Sequence, residues 1–251
     1  NIPLPAIRDK LIIDGTTVVG FDENIRRLVT IDGSALQAGN GFLMIGGHSV
    51  IQGLEIVNFP GNGILVNSSH NLIGGDKIGV DPNGNLNNPT GRITFPLPFM
   101  ENPAGHIFVR PPEGNVISGN GGDGVRIANG ANNNLLEGNF IGTDINGTTD
   151  FGNAGNGVSI LNSKQNQLLG TVPPDGNNPF VFYNVISGND KNGLEIRNSN
   201  NTTVYAGFFG LGADDFTAVG NTLNGILVTG SSADTKLGGN IPLGNVCAGN
   251  G

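Results

Sequence analysis

The chain has 251 residues, of which 43 are Gly and 37 are Asn, so about a third of it consists of two residue types that favour turns over helix interiors. With 37% hydrophobic and 13% charged residues it is too apolar and too weakly charged for a disordered chain, and no apolar run is long enough to span a bilayer. A net charge of −8, with no basic cluster beyond Arg26-Arg27, lacks the electrostatic footprint of a nucleic-acid binder.

An all-β chain with very many turns is what remains. It begins at Asn1, without Met or a signal-peptide pattern, and stops within Cys247-Ala-Gly-Asn-Gly251, the middle of a motif seen twice earlier. It therefore reads as a single domain, 1–251, that is a fragment or processed part of a longer chain. Its one Cys forms no internal disulfide and offers no metal-ligand spacing.

In chain order, Asn40-Gly41 opens an element that recurs at Asn62, Asp123, Asn156, Asn192 and Asn224: Asn or Asp, Gly, then an apolar-x-apolar triplet. Each triplet, such as Val125-Arg-Ile127 or Val158-Ser-Ile160, places two apolar side chains on one face and the middle residue on the other. The Asn-Gly before it supplies the backbone freedom of a sharp corner. At Leu43, Leu65 and Leu227 the outward residue is itself apolar.

A Pro- and Phe-rich insertion is expected over 86–114, followed by Asn115-Val-Ile-Ser-Gly-Asn120. The same string returns at Asn184–Asn189, after a shorter insertion over 171–183, and in altered form at Asn245–Asn250. Between them, Glu137–Asn153 matches Ala206–Asn221 and ties the motifs into a larger unit of about 60 to 70 residues. Blocks opened by Asn115, Asn134, Asn166, Asn184 and Thr202 lie mostly about 18 to 20 residues apart, which is read as one coil of a solenoid.

Short parallel strands and corners, repeated without hairpin partners, wind into stacked sheets with Ile and Val inside and Asn ladders at the corners. Cys247 falls in the column of Ile117 and Ile186 and is expected to be a small buried hydrophobe. The predicted fold is all-β: a parallel β-helix of about nine or ten coils with inserted loops, roughly 45 to 50 Å long.

These motifs resemble the right-handed parallel β-helix repeat superfamily, the pectate-lyase-like solenoids, which implies that the solenoid is right-handed. The NVISGN and NFIGTD strings resemble repeats of large secreted or surface-attached bacterial proteins. The resemblance covers residues 30 to 251, the start through Leu11-Ile-Ile-Asp-Gly15 resembles the entry strand that opens such solenoids, and an extracellular or cell-surface location is implied. It is specific for fold, because such solenoids carry lyases, hydrolases, epimerases and adhesins alike.

The chemistry-bearing residues are sparse. Asp214-Asp215 and Gly47-His48 match fragments of a polygalacturonase-like site, but in the wrong order and without Arg-x-Lys. Lys164, Lys191 and Arg197 are outward cations without a lyase motif, and His70 and His106 read as lone loop histidines. Asp144, Asn146 and Asp150 partly match an oxygen-ligand loop, so structural calcium is the candidate metal, with no cofactor required. Asn67, Asn146, Asn200 and Asn201 lie in glycosylation sequons.

Carbohydrate stacking is poorly supplied, with no Trp and two Tyr. Phe95, Phe99, Phe108, Phe180 and Phe182 in the insertions, with Leu43, Leu65 and Leu227, are the candidate partner-contact residues. The expected role is structural, adhesive or filament-forming, through contacts with other surface proteins or end-to-end self-association, rather than enzymatic. The alternative is a polysaccharide lyase, hydrolase or epimerase acting on an acidic polysaccharide. An enzyme should gather two carboxylates and a cation on one outward face.

Overall fold

The structure, a computed structural model, describes residues 2–17, 29–74, 100–101, 107–108, 114–170, 183–239 and 244–251. Its strands form three parallel sheets stacked along one axis. Sheet I contains Ile12–Asp14, Val50–Gln52, Leu72–Gly74, Leu135–Glu137, Gln167–Leu169, Thr203–Tyr205 and Lys236–Leu237. Sheet II contains Val29–Asp32, Leu54–Val57, Val116–Ser118, Phe140–Ile141, Asn184–Ile186, Gly207–Phe209 and Val246–Cys247. Sheet III contains Phe42–Met44, Ile64–Val66, Val125–Ile127, Val158–Leu161, Leu194–Arg197 and Ile226–Thr229. A short antiparallel pair, Met100–Glu101 with Ile107–Phe108, lies in the connection 75–115.

The expected solenoid is present, but among the described residues sheets I and II hold seven strands and sheet III six, rather than nine or ten. At one strand spacing per coil the stack is about 30 Å long. The miscount has a physical cause. Asn115 and Asn184 precede or open strands of sheet II, whereas Asn134, Asn166 and Thr202 precede strands of sheet I, so their spacing measures side-to-side steps as well as full turns.

The interior is built from in-register columns. Ile51, Ile73, Leu136, Leu168 and Val204 line sheet I; Ile56, Ile117, Ile141, Ile186 and Phe209 line sheet II; Val66, Ile127, Ile160 and Ile196 line sheet III. All of these are buried. Cys247 does occupy the sheet II column, beside Phe209, yet it is exposed in the last coil of the chain, contrary to the expected burial.

Asn ladders run along the corners. In one, the backbone and side-chain N–H groups of Asn120 donate to Asn153 Oδ1 at 3.2 and 2.9 Å, and Asn153 repeats the pattern onto Asn189. Asn189 does so onto Asn221, and Asn221 onto Asn250. Shorter ladders link Asn71, Asn134 and Asn166 ahead of sheet I, and Asn115, Asn139 and Asn184 ahead of sheet II. Each rung satisfies backbone and amide groups that the coils remove from water, where an unpaired one costs about 1 to 3 kcal/mol.

The corners also explain the residues with positive φ. His48, His70, Asn133, Gln165, Asn201 and Asp234 share one column immediately before the Asn71 ladder, each with φ between 55° and 63°. The turn is imposed by coil geometry, and Asn and Asp tolerate it best. His70 is not a lone histidine: its ring stacks on that of His48 at 4.8 Å, 5° from parallel, whereas His106 lies outside the described residues.

The larger unit spans two coils. Between sheets I and II, long connections (15–28, 75–115, 170–183 and 238–245) alternate with tight ones such as Gly53 and Ala206. Between sheets II and III the long loops 142–157 and 210–225 belong to the coils that are tight at the other corner. Ala213 donates to Gly147 O at 2.9 Å, so these two loops touch across the intervening coil. They cover the outer side of sheet II, where Val116, Phe140, Val185, Phe208 and Ala213 form a second apolar cluster.

Candidate functional site

The outward residues of sheet III form one row along the solenoid: Leu43, Leu65, Arg126, Ser159, Glu195 and Leu227. The three leucines are half-buried and face outward, as expected. Between them lies a polar centre beside a single change in the neighbouring ladder.

That ladder consists of Asn40, Asn62, Asp123, Asn156, Asn192 and Asn224, and each backbone N–H donates to the preceding side-chain oxygen. Asp123 keeps the rung: its N–H donates to Asn62 Oδ1, and its own Oδ1 accepts from Asn156 N–H, both at 2.9 Å. A carboxylate has no amide hydrogen to donate, and this one is only 7% exposed. Its second oxygen is met by Arg126 Nη1 at 3.0 Å, three residues on and on the same face.

The next coils add further polar contacts. The Asn156 amide turns outward to Ser159 Oγ at 3.0 Å and to Glu195 Oε2 at 2.9 Å. Glu195 Oε1 lies 3.5 Å from Arg197 Nε. Two carboxylates and two guanidiniums thus share the face, as the enzymatic alternative requires. Each is nevertheless held by a partner within the chain, and Ser159 is fully buried beneath them.

Sequence reasoning singled out Arg197 but missed Asp123, Arg126, Ser159 and Glu195 as a group. The visible signal was one Asp among the Asn-Gly corners. Lys164 and Lys191 are exposed on corners flanking sheet III, away from its central row.

In the loop 142–157, Asp144 Oδ1 accepts from Thr148 and Thr149 N–H at 2.9 and 3.0 Å, and its Oδ2 accepts from Asn146 Nδ2 at 3.1 Å. Asp150 turns to Gly152 N–H at 2.9 Å. The structure therefore joins Asp144 with Asn146 and gives both carboxylates loop-closing hydrogen bonds. Among the described residues no three His, Cys, Asp or Glu side chains are grouped as metal ligands. In the matching loop, Asp214 Oδ1 accepts from Thr217 N–H at 2.9 Å, although the strand register aligns Gly212 with Asp144. The carboxylate does the same work from two residues further on.

Phe95, Phe99, Phe180 and Phe182 lie outside the described residues, as does most of both insertions, and Phe108 falls in the short antiparallel pair. Two exposed aromatics were not anticipated: Phe151 (57%) and Phe216 (62%), one on each of the touching loops.

No protein-family model matches the chain, and no curated protein matches it in sequence. In fold it is similar to the crystal structure of a mutant of the periplasmic alginate epimerase AlgG, with 13% identity and a TM-score of 0.41. The similarity covers 82% of this chain and 48% of that one, so this chain spans about half the neighbour's length. Such a likeness concerns fold and not chemistry. Among the described residues no helix is long and apolar enough to cross a membrane. The chain is a parallel β-helix solenoid.

Proposed function

We propose that this chain is a structural module of an extracellular or cell-surface protein, a stiff solenoid that presents the outer row of sheet III to a protein partner. The observation that carries this reading is the internal pairing of the charged groups on that face. Asp123 and Arg126 complete a ladder rung, and Glu195 is held by Asn156 and Arg197. None is left as a separate acid or base. The leucines at both ends of the row supply apolar area for contact.

The second reading, a polysaccharide-acting enzyme, draws on the same carboxylates. Asp123 and Glu195 stand two coils apart, about 10 Å along the axis, on one face with two arginines. A calcium ion in the loop 142–157 is a separate element of the proposal.

Both are tested by incubating the protein with a panel of acidic polysaccharides, with and without calcium, and following the sugars by proton NMR for cleavage and epimerisation. The expected result is no change beyond the buffer control. Turnover that disappears in Glu195→Gln would replace the structural reading by the enzymatic one. A calcium-dependent rise in melting temperature, lost in Asp144→Ala, would assign the ion to the loop.

A further inference from the structure

The sheet III row has an order that selects its own partner. Along the axis it reads Leu43, Leu65, Arg126, Ser159, Glu195, Leu227, one residue per coil. Consider a second copy laid face to face, related by a two-fold axis that runs along the strands at the level of Ser159. That operation reverses the solenoid axis and keeps the row opposite itself. Arg126 then faces Glu195 of the other copy, Glu195 faces Arg126, Leu65 faces Leu227 and Leu227 faces Leu65. The alternative two-fold, along the solenoid axis, sets Arg126 against Arg126 and Glu195 against Glu195, which like-charge repulsion disfavours.

We propose that the chain self-associates through sheet III as an antiparallel, face-to-face pair. The proposal rests on reading this sheet as a contact face, and it names a second copy of the chain as the occupant. The side chains have the capacity. Arg126 is 40% exposed and uses one nitrogen on Asp123, which leaves donors of its planar fork free to reach across. Glu195 remains 17% exposed, with oxygens that accept more than one donor each. The corner loops 142–157 and 210–225 pack over sheet II, so they leave this row open.

The row spans about 24 Å, and the area it offers is well below the roughly 800 Å² per partner of a standard stable interface. The pair is accordingly weak and forms as concentration rises. A weak contact suits a repeated module, because many copies along a longer surface act together.

The test uses residues outside the internal ion pairs, so that folding is unaffected. Sedimentation equilibrium over a wide concentration range should show a monomer–dimer equilibrium. Leu65→Lys alone and Leu227→Glu alone should each weaken it by about ten-fold or more. The combined variant sets the new ammonium against the new carboxylate in the antiparallel arrangement, and should recover most of the loss. In a Cys247→Ser background, Leu65→Cys with Leu227→Cys should give bismaleimide cross-links joining position 65 of one copy to position 227 of the other. Circular dichroism of each variant confirms the fold. A monomer at every concentration, cross-links joining 65 to 65, or a combined variant weaker than either single one would overturn the pairing. The contact-face reading has a separate failure mode, the polysaccharide turnover described above.

Discussion

A single ladder position anchors one half of the charged centre of sheet III. Where its neighbours carry Asn, residue 123 is Asp; it keeps both backbone rungs, gains a charge and holds Arg126, while the Asn156 amide turns to Ser159 and Glu195. A pair with one exposed member contributes modestly, because solvent screens it. Arg126→Ala should therefore lower stability by about 1 kcal/mol, while leaving the buried Asp123 carboxylate short of one partner. Asp123→Asn restores the rung amide and removes the need for the arginine, so the double variant should lie within about 0.5 kcal/mol of the parent protein. Urea unfolding of the four proteins measures the coupling. Additive losses would mean that Arg126 serves something other than this rung.

The Asp was legible in the sequence as one exception among six corners. The polar centre beside it was not, because it depends on residues from different coils meeting in register. Asn156 and Glu195 are joined only once the turn length is known.

At the level of elements, the corners decide more than the strands do. The apolar triplets and their outward Leu43, Leu65 and Leu227 followed from alternation alone, and the shared column of Ile117 and Ile186 from the repeated string; that Ile141 stacks between them did not. The number of coils did not. Both the ladder ahead of sheet I and the ladder ahead of sheet II use Asn at similar offsets, so a linear reading merges two corners into one period. The histidine stack was also hidden, since His48 and His70 are neighbours only through the turn between them.

The touching loops 142–157 and 210–225 give the element scale its own prediction. Gly147 has φ +72°, and a Cβ there would lie 2.7 Å from Ala213 Cβ and 2.8 Å from the Phe140 ring. Strain at the positive φ and overpacking act together, so Gly147→Val should destabilise by about 2 to 4 kcal/mol. It should also loosen the cluster in which Tyr183 stacks on Phe208 at 4.3 Å. Thermal unfolding with near-ultraviolet circular dichroism reads both effects. An unchanged melting temperature would show that the two loops do not pack as described.

For the molecule as a whole, alternation of long and tight corners makes the three sheets unequal. Sheet II is enclosed on its outer side: Val116, Phe140, Val185 and Phe208 point away from the solenoid axis and are still buried. Among the described residues, sheet III has no such cover over the half-buried Leu43, Leu65 and Leu227, and this is the face proposed above for a partner. The two-coil unit was visible in the matched Glu137–Asn153 and Ala206–Asn221 segments, but the sheet it would enclose was not, since that depends on which corner each loop leaves from.

The claim that the coils bury one outer face and present another is tested most directly by covalent footprinting of the dilute protein with a photogenerated carbene, read residue by residue by mass spectrometry. Leu43, Leu65 and Leu227 should be labelled, and Val116, Phe140, Val185 and Phe208 should be protected until the protein is unfolded. Strong labelling of the sheet II residues in the folded protein, with protection of the sheet III leucines at the same dilution, would contradict the account.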